Sequence, residues 1–408
     1  MRIVLYLLST CLIQSSIGAP PRREDSGGIE LKDGEVLFEG DIILTREQAA
    51  AMKESSRSKR QVMRNSQWPN ETVYYYYDGF NGTQVQNMEA ALDYIRTRTC
   101  VKFIRNRNAQ NRIRIFPGVG CYSYTGFVGG EQDLSLAIGG CQYLGTRVHE
   151  MMHALGVRHE HSRSDRDDYL VINPGAIIPG ELHNFVKLTD SVSYNPTPFD
   201  HGSVMMYAFN AFSSSSGTGT MLPMNNDYLY TMGNGKISFY DMEKINTHYN
   251  CQRKCTTKLP CKNGGVTNPA NCNICNCPRG YEGRLCDQLP AARTMRTATT
   301  TWTSHVTSFG PNIDTEVPRY SYIVITAPVG RKVQIQITKL DLHGYHFGCL
   351  LTNVEVKINN DPSGENPILC YDTTLNPNKT YTVNRTPAII ELYSIYYTNA
   401  LTYRIRHV

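Results

Sequence analysis

Between His149 and His161, four of the chain's 11 histidines stand with two glutamates in thirteen residues, "HEMMHALGVRHEH". His149 and His153 are four apart, so a helix would set them one turn apart on one face with two ring nitrogens aimed at one point. Glu150, turned by about 100° from His149, is placed to touch a water in an open coordination position rather than to be an ideal third ligand. Gly156 permits a left-handed exit from the helix, which sends His159 back toward the same point. Three neutral imidazoles with one open position suit catalytic zinc, which lowers the pKa of its water to about 7 and polarises a carbonyl while a glutamate carries the proton. The chemistry predicted is peptide hydrolysis. The competing reading, a chance HExxH on a solvated helix face, is weakened by Gly156 and His159.

Positioning such a cluster takes a real core, and 408 residues with 40 % hydrophobic content and 32 Gly allow two or more domains. The net charge of +5 is spread without a dense basic tract in the folded part, so it does not argue for nucleic acid. Residues 1–18 read as a signal peptide: Met1, Arg2, an apolar run from Ile3 to Ile13, and the small-residue exit "SSIGA". That run is too short for a retained membrane anchor, and a secreted, extracellular protein is expected. Removing it takes Cys11 and leaves 12 of the 13 cysteines, an even number that favours disulfides in an exported chain. Residues 19–60 are polar and end in "SRSKR", a dibasic processing site that marks a propeptide. Sequons stand at Asn70, Asn81, Asn378 and Asn384.

From Trp68 to Cys251 the pattern is that of one compact domain, with a strand at Val73–Tyr77, a helix through "NMEAALDYIRTRTC" and an alternating strand in "NRIRIFPG". Residues 252–287 crowd six cysteines among too few apolar residues for a core, so the module must be stapled. Residues 288–318, Thr/Ser-rich and aperiodic, read as a linker and the start of the last domain. Residues 319–408 alternate as an all-β sandwich.

"HEMMHALGVRHEHSRSDRDDY", together with "GSVMMY" (Gly202–Tyr207), "TCVKF", "GCYSYTG" and "ISFYDMEKINTHYNC", resembles the astacin family of zinc endopeptidases, within the metzincins, over Gln61 to Cys251. The resemblance implies an α+β peptidase domain at 61–251, a twisted sheet with the zinc-site helix beneath it and an irregular lower half. It also implies an EGF-like module at 252–287 and a CUB-like domain at 319–408 that is divergent or incomplete, with Ser321 where a cysteine is usual.

The same resemblance assigns roles. His149, His153 and His159 would bind one Zn2+, Glu150 would be general base and then acid, and Met205 would form the turn under the metal. Tyr207 would stabilise the oxyanion, and Met206 stands where a histidine is usual. Asp41, in "FEGDII", would ligate the zinc in the precursor. Glu160 would meet the new N-terminus at Gln61. The pairs Cys100–Cys251, Cys121–Cys141, Cys255–Cys272, Cys261–Cys275, Cys277–Cys286 and Cys349–Cys370 are implied. The resulting expectation is a secreted zymogen acting on extracellular proteins or peptides, with a matrix or cell-surface partner for its tail. A catalytically dead adhesion protein is the alternative, and it would be expected to have lost Glu150 or a histidine.

Overall fold

The computed structural model describes residues 31–53, 66–189, 195–311, 317–343, 347–370, 375–395 and 397–408. The expected signal peptide, the processing site at Arg60 and the mature terminus at Gln61 lie outside them.

Strands β1 (Val36–Phe38) and β2 (Ile42–Leu44) form a hairpin ahead of helix α1 (Arg46–Lys53). The main sheet follows: β3 (Thr72–Tyr77), β4 (Lys102–Arg105), β5 (Arg112–Phe116), β6 (Cys121–Tyr124) and β7 (Glu131–Leu136). Helix α2 (Gly82–Arg96) lies between β3 and β4, and α3 (Leu144–Ala154) follows β7. The order is β1-β2-β6-β7-β5-β3-β4. Neighbours among β7, β5, β3 and β4 run parallel, whereas β6 is antiparallel to β7. The hairpin covers the far edge of β6, with β2 running parallel to it.

Local chemistry explains these elements. In β5, Ile113 and Ile115 are fully buried while the intervening arginines face outward, the alternation of a half-buried strand. Helix α2 starts at a capping box between Asn81 and Gln84 and buries Met88, Ala91, Leu92 and Ile95 on one stripe. The tyrosines of β3 pack rather than bind: the Tyr75 and Tyr77 hydroxyls donate to Glu89 of α2 at 2.6 and 2.9 Å. Helix α3 is buried on every side, and a Cβ at Gly145 would collide with the Gly235 carbonyl oxygen, so that position needs glycine.

The lower half is mostly loops, braced by the pairing of β8 (Leu170–Ile172) with β9 (Met221–Pro223) and closed by helix α4 (Phe239–His248), which Ser238 caps. Disulfides Cys100–Cys251 and Cys121–Cys141 cross-link this unit. The next module carries only the two-residue strands β10 (Val266–Thr267) and β11 (Cys275–Asn276), stapled by Cys255–Cys272, Cys261–Cys275 and Cys277–Cys286.

A two-sheet sandwich completes the chain: β12 (Arg293–Thr297), β13 (Thr303–Phe309), β14 (Arg319–Thr326), β15 (Val333–Asp341), β16 (Thr352–Val356), β17 (Ile368–Leu369), β18 (Tyr381–Val383), β19 (Ala388–Ser394) and β20 (Asn399–His407). Its sheets run β12-β14-β19-β16-β17 and β13-β20-β15-β18, with Cys349–Cys370 between loop and strand end. Residues 288–318, read as a linker and the start of this domain, supply β12 and β13. Each is an edge strand whose exposed residues alternate with half-buried ones, so Thr and Ser suffice and no apolar run betrays them.

Candidate metal centre

Helix α3 delivers His149 and His153, and Gly156, at φ +96°, turns the chain so that His159 rejoins them. The His153 and His149 Nε2 atoms are 3.0 Å apart, and those of His159 and His149 3.3 Å. Each outer nitrogen has a partner: Nδ1 of His149 meets the Val204 carbonyl at 2.8 Å, that of His153 the Val157 carbonyl at 2.9 Å, and that of His159 the Glu39 carboxylate at 2.6 Å. Acceptors at all three Nδ1 positions leave three Nε2 lone pairs converging on one point.

Asp41, at the β1–β2 turn, reaches that point from the opposite side. Its carboxylate lies 3.3, 3.7 and 3.2 Å from the Nε2 atoms of His149, His153 and His159. Burial would raise the Asp41 pKa, but the imidazoles, His159 first, hold it below the usual carboxylate range. The His159 imidazole, which burial alone would lower, is lifted to about 9 by Asp41 and Glu39, whereas burial and the His149 charge push His153 well down. Three nitrogen donors and one oxygen donor gathered within 4.8 Å, with Asp41 Oδ1 lacking a hydrogen-bond partner among the described residues, fit a zinc ion.

Glu150 lies at 2 % exposure with Oε2 unpartnered among the described residues, and its pKa is driven well up by burial and by Asp41. The buried Tyr207 hydroxyl donates to the Glu39 backbone carbonyl, and its ring stacks on His161 at 4.1 Å. Met205 is fully buried, and its carbonyl accepts from Glu160 N–H at 2.9 Å, which ties that turn to the segment after the third histidine. Met206 packs in the apolar cluster of the lower half with Tyr207 and Phe185. The Glu160 carboxylate is held by Arg163 at 3.0 Å, Lys244 at 2.8 Å and the Asp200 N–H at 2.9 Å. Asn70, Asn81, Asn378 and Asn384 are all exposed.

Three contributors escaped sequence reasoning. Glu39 enters the site through both its carboxylate and its carbonyl, at a left-handed backbone position (φ +49°). His161 forms a second close group with Glu39 and His159, and burial pushes its pKa down to about 4. Arg158 is buried beneath the Phe38 ring with Nε and Nη1 unpartnered among the described residues. Adjacency in "FEGDII" and "GVRHEH" was the only available clue.

A helix bearing two of three converging imidazoles, beside a buried glutamate and a sheet edge, defines a zinc-dependent metallopeptidase. Residues 60–250 match the family model described as Astacin, a peptidase family. The zinc metalloproteinase nas-17 of Caenorhabditis elegans is 38 % identical over 385 residues, covering 92 % of this chain and 87 % of that protein. Zinc metalloproteinase nas-32 of the same organism is 38 % identical over 387 residues, covering 92 % of this chain and 59 % of that protein. Among solved structures, high choriolytic enzyme 1, a hatching enzyme zinc-protease from medaka (Oryzias latipes), is 36 % identical over 45 % of this chain and 92 % of its own, at TM-score 0.42. The chain belongs to the astacin family of zinc metallopeptidases.

Proposed function

We propose that the chain is the latent precursor of a secreted zinc endopeptidase whose pro-segment, residues 19–60, blocks the site through Asp41. The observation that carries this is the Asp41 carboxylate at the meeting point of three Nε2 atoms while the Glu39 carbonyl takes the Tyr207 hydroxyl. One contact fills the position a water would need, and the other occupies a phenol that would meet substrate.

His149, His153 and His159 would hold a zinc ion, which would supply a water of lowered pKa and polarise the scissile carbonyl. Glu150 would be the group that takes a proton from the attacking water and passes it to the leaving amine. Burial and the Asp41 carboxylate push the Glu150 pKa up, and departure of the pro-segment would remove the Asp41 charge. Tyr207, released from Glu39, donates to the developing oxyanion. The edge of β6, covered by β2 in the precursor, is where an extended peptide would add as a strand.

Processing after Arg60, with Gln61 as the mature terminus near Glu160, completes this reading. Secretion accords with the signal-like N-terminus, the six disulfides and the absence, among the described residues, of a helix long and apolar enough to cross a membrane. The peptidase domain spans 61–251, the stapled module is EGF-like and the sandwich CUB-like, open to a matrix or cell-surface partner. Zinc content and azocasein hydrolysis of protein matured at Arg60, with Glu150→Ala as control, test the proposal. Metal-free, inactive wild-type protein would overturn it.

A further inference from the structure

The C-terminal sandwich is joined to the rest of the chain by charges that have left water. Lys236, from the loop before α4, is 1 % exposed. Its ammonium lies 2.5 Å from Glu355, 2.9 Å from Glu391 and 3.5 Å from Glu365, all on the sandwich. Arg279, from the stapled module, joins the same cluster: Nε reaches Glu391 at 3.1 Å, one Nη bonds Glu365 and the other the Ile237 carbonyl. Lys357 lies 2.7 Å from Glu355 and 3.2 Å from Glu391. Three cations, one from each unit, thus face three carboxylates of the sandwich, and breaking a pair in such a cluster leaves an uncompensated buried charge. A mobile tether has no use for this arrangement, because inter-domain surfaces that swing freely keep their charges solvated.

The cluster also touches the supports of the metal centre. Gly202 packs on the Glu365 stem so closely that a Cβ there would lie 2.6 Å from both Cβ and Cγ of Glu365. From the other side the Asn234 side chain donates to the Gly202 carbonyl at 3.1 Å, and Asn234 Oδ1 accepts from the Lys236 N–H at 2.8 Å. Two residues beyond Gly202 is Val204, whose carbonyl fixes His149 Nδ1 at 2.8 Å. A second route is apolar: a Cβ at Gly235 would lie 2.5 Å from Leu350 of the sandwich, and a Cβ at Gly145, in the first turn of α3, would meet the Gly235 carbonyl oxygen at 2.2 Å.

We infer that the C-terminal sandwich is a working part of the peptidase: Glu365, clamped by Arg279 and Lys236, is a positioning residue that holds the Gly202–Val204 backbone and, through it, His149. This rests on His149 being a zinc ligand. Outer partners of metal-binding histidines typically contribute about 10–100-fold in metal affinity or activity, and the effect expected here is at the lower end because it passes through Gly202.

The test uses the full-length mature enzyme and three readouts: kcat and KM on a fluorogenic peptide, the rate of zinc release to a chromophoric chelator, and calorimetric unfolding. Glu365→Ala removes both stem and clamp and should lower kcat about tenfold with KM within about twofold, while zinc leaves about tenfold faster. Glu365→Gln, which keeps the stem and should fold, is expected between Ala and wild type. Arg279→Lys should retain more activity than Arg279→Met, a graded rescue that merely filling space would not give. The visible spectrum of the cobalt(II)-substituted Glu365→Ala enzyme should differ from wild type. Wild-type protein should unfold in one transition and Lys236→Met in two. Wild-type kcat, zinc release and cobalt spectrum in both Glu365 variants would overturn the inference, as would separate melting of sandwich and peptidase in the unmutated chain. Failure of the zinc reading itself would appear differently, as no stoichiometric metal in the wild-type enzyme, and the calorimetric arm would still decide whether the units are joined.

Discussion

Replacing Asp41 by alanine in a precursor that cannot be cleaved, with Lys59 and Arg60 also changed to alanine, separates two ways of keeping the enzyme silent. The proposed pro-segment holds on through Ile43 and strand pairing as well as through its carboxylate. Phe38, Ile42, Ile43 and Leu44 are 9, 0, 2 and 2 % exposed. Ile43 packs with Tyr122 and Tyr124 of β6, worth about 1.5–3 kcal/mol for a fully buried side chain, whereas Phe38, Ile42 and Leu44 cluster with Ala49 and hold the hairpin itself together. Removing one partner from a buried charged cluster costs about 3–5 kcal/mol. Ile43, the β2–β6 pairing, the bond from the Gln48 amide to the Thr125 carbonyl and that from the Tyr124 hydroxyl to Glu35 all survive the loss of Asp41, so the hairpin should stay on β6 while the point among the imidazoles opens. On a short fluorogenic peptide, Asp41→Ala should raise precursor activity by about 10²-fold, since about 3 kcal/mol corresponds to roughly that ratio. It should stay below the mature enzyme, because β2 still covers the sheet edge. An Asp41→Ala precursor that is folded, zinc-loaded and as silent as the unmutated one would refute ligation as the block. If Ile42→Ala then activates while Asp41→Ala does not, latency resides in the strand.

Glu150→Ala should keep zinc and thermal stability yet lose about 10²–10⁴-fold in kcat, because its carboxylate moves protons; activity within threefold of wild type would remove that role. For Tyr207→Phe, the loss of one oxyanion donor should lower kcat by about 10²-fold with KM little changed, and steady-state kinetics showing the loss in KM alone would contradict it. His201 is half-buried among Tyr169, Phe199 and Tyr228, and that burial lowers its pKa to about 4. With the folded pKa below the unfolded value of about 6.5, the unfolded chain binds the extra proton between them. Its contribution is therefore full above pH 6.5 and is lost as pH falls toward 4, on the order of 3 kcal/mol in all. Urea unfolding from pH 7 to 4 should show a flatter profile for His201→Gln than for wild type, and parallel profiles would reject the assignment.

The chemistry of the centre was legible because a helix converts sequence spacing directly into geometry. Four residues from His149 to His153 make one turn, and Gly156 is a short-range instruction for a left-handed exit. Likewise β3, β5 and α2 announce themselves by period, and six cysteines in a core-poor stretch announce a stapled module. Periodicity failed at β12 and β13, where edge strands bury too little to need apolar side chains. Nor does any local pattern say that the Val204 carbonyl, 55 residues from His149, orients its ring, or that Glu39 reaches His159 across 120 residues. The cluster of Lys236, Arg279, Lys357, Glu355, Glu365 and Glu391 is the extreme case. Each of these is an ordinary surface type by composition, and only the approach of three separately built units removes the water that would otherwise solvate them. Sequence thus determined which groups could do the chemistry, since that depends on contacts within a helical turn or two. Tertiary structure decided what holds those groups in place, since a buried polar contact depends on chains that meet only when their apolar surfaces close together.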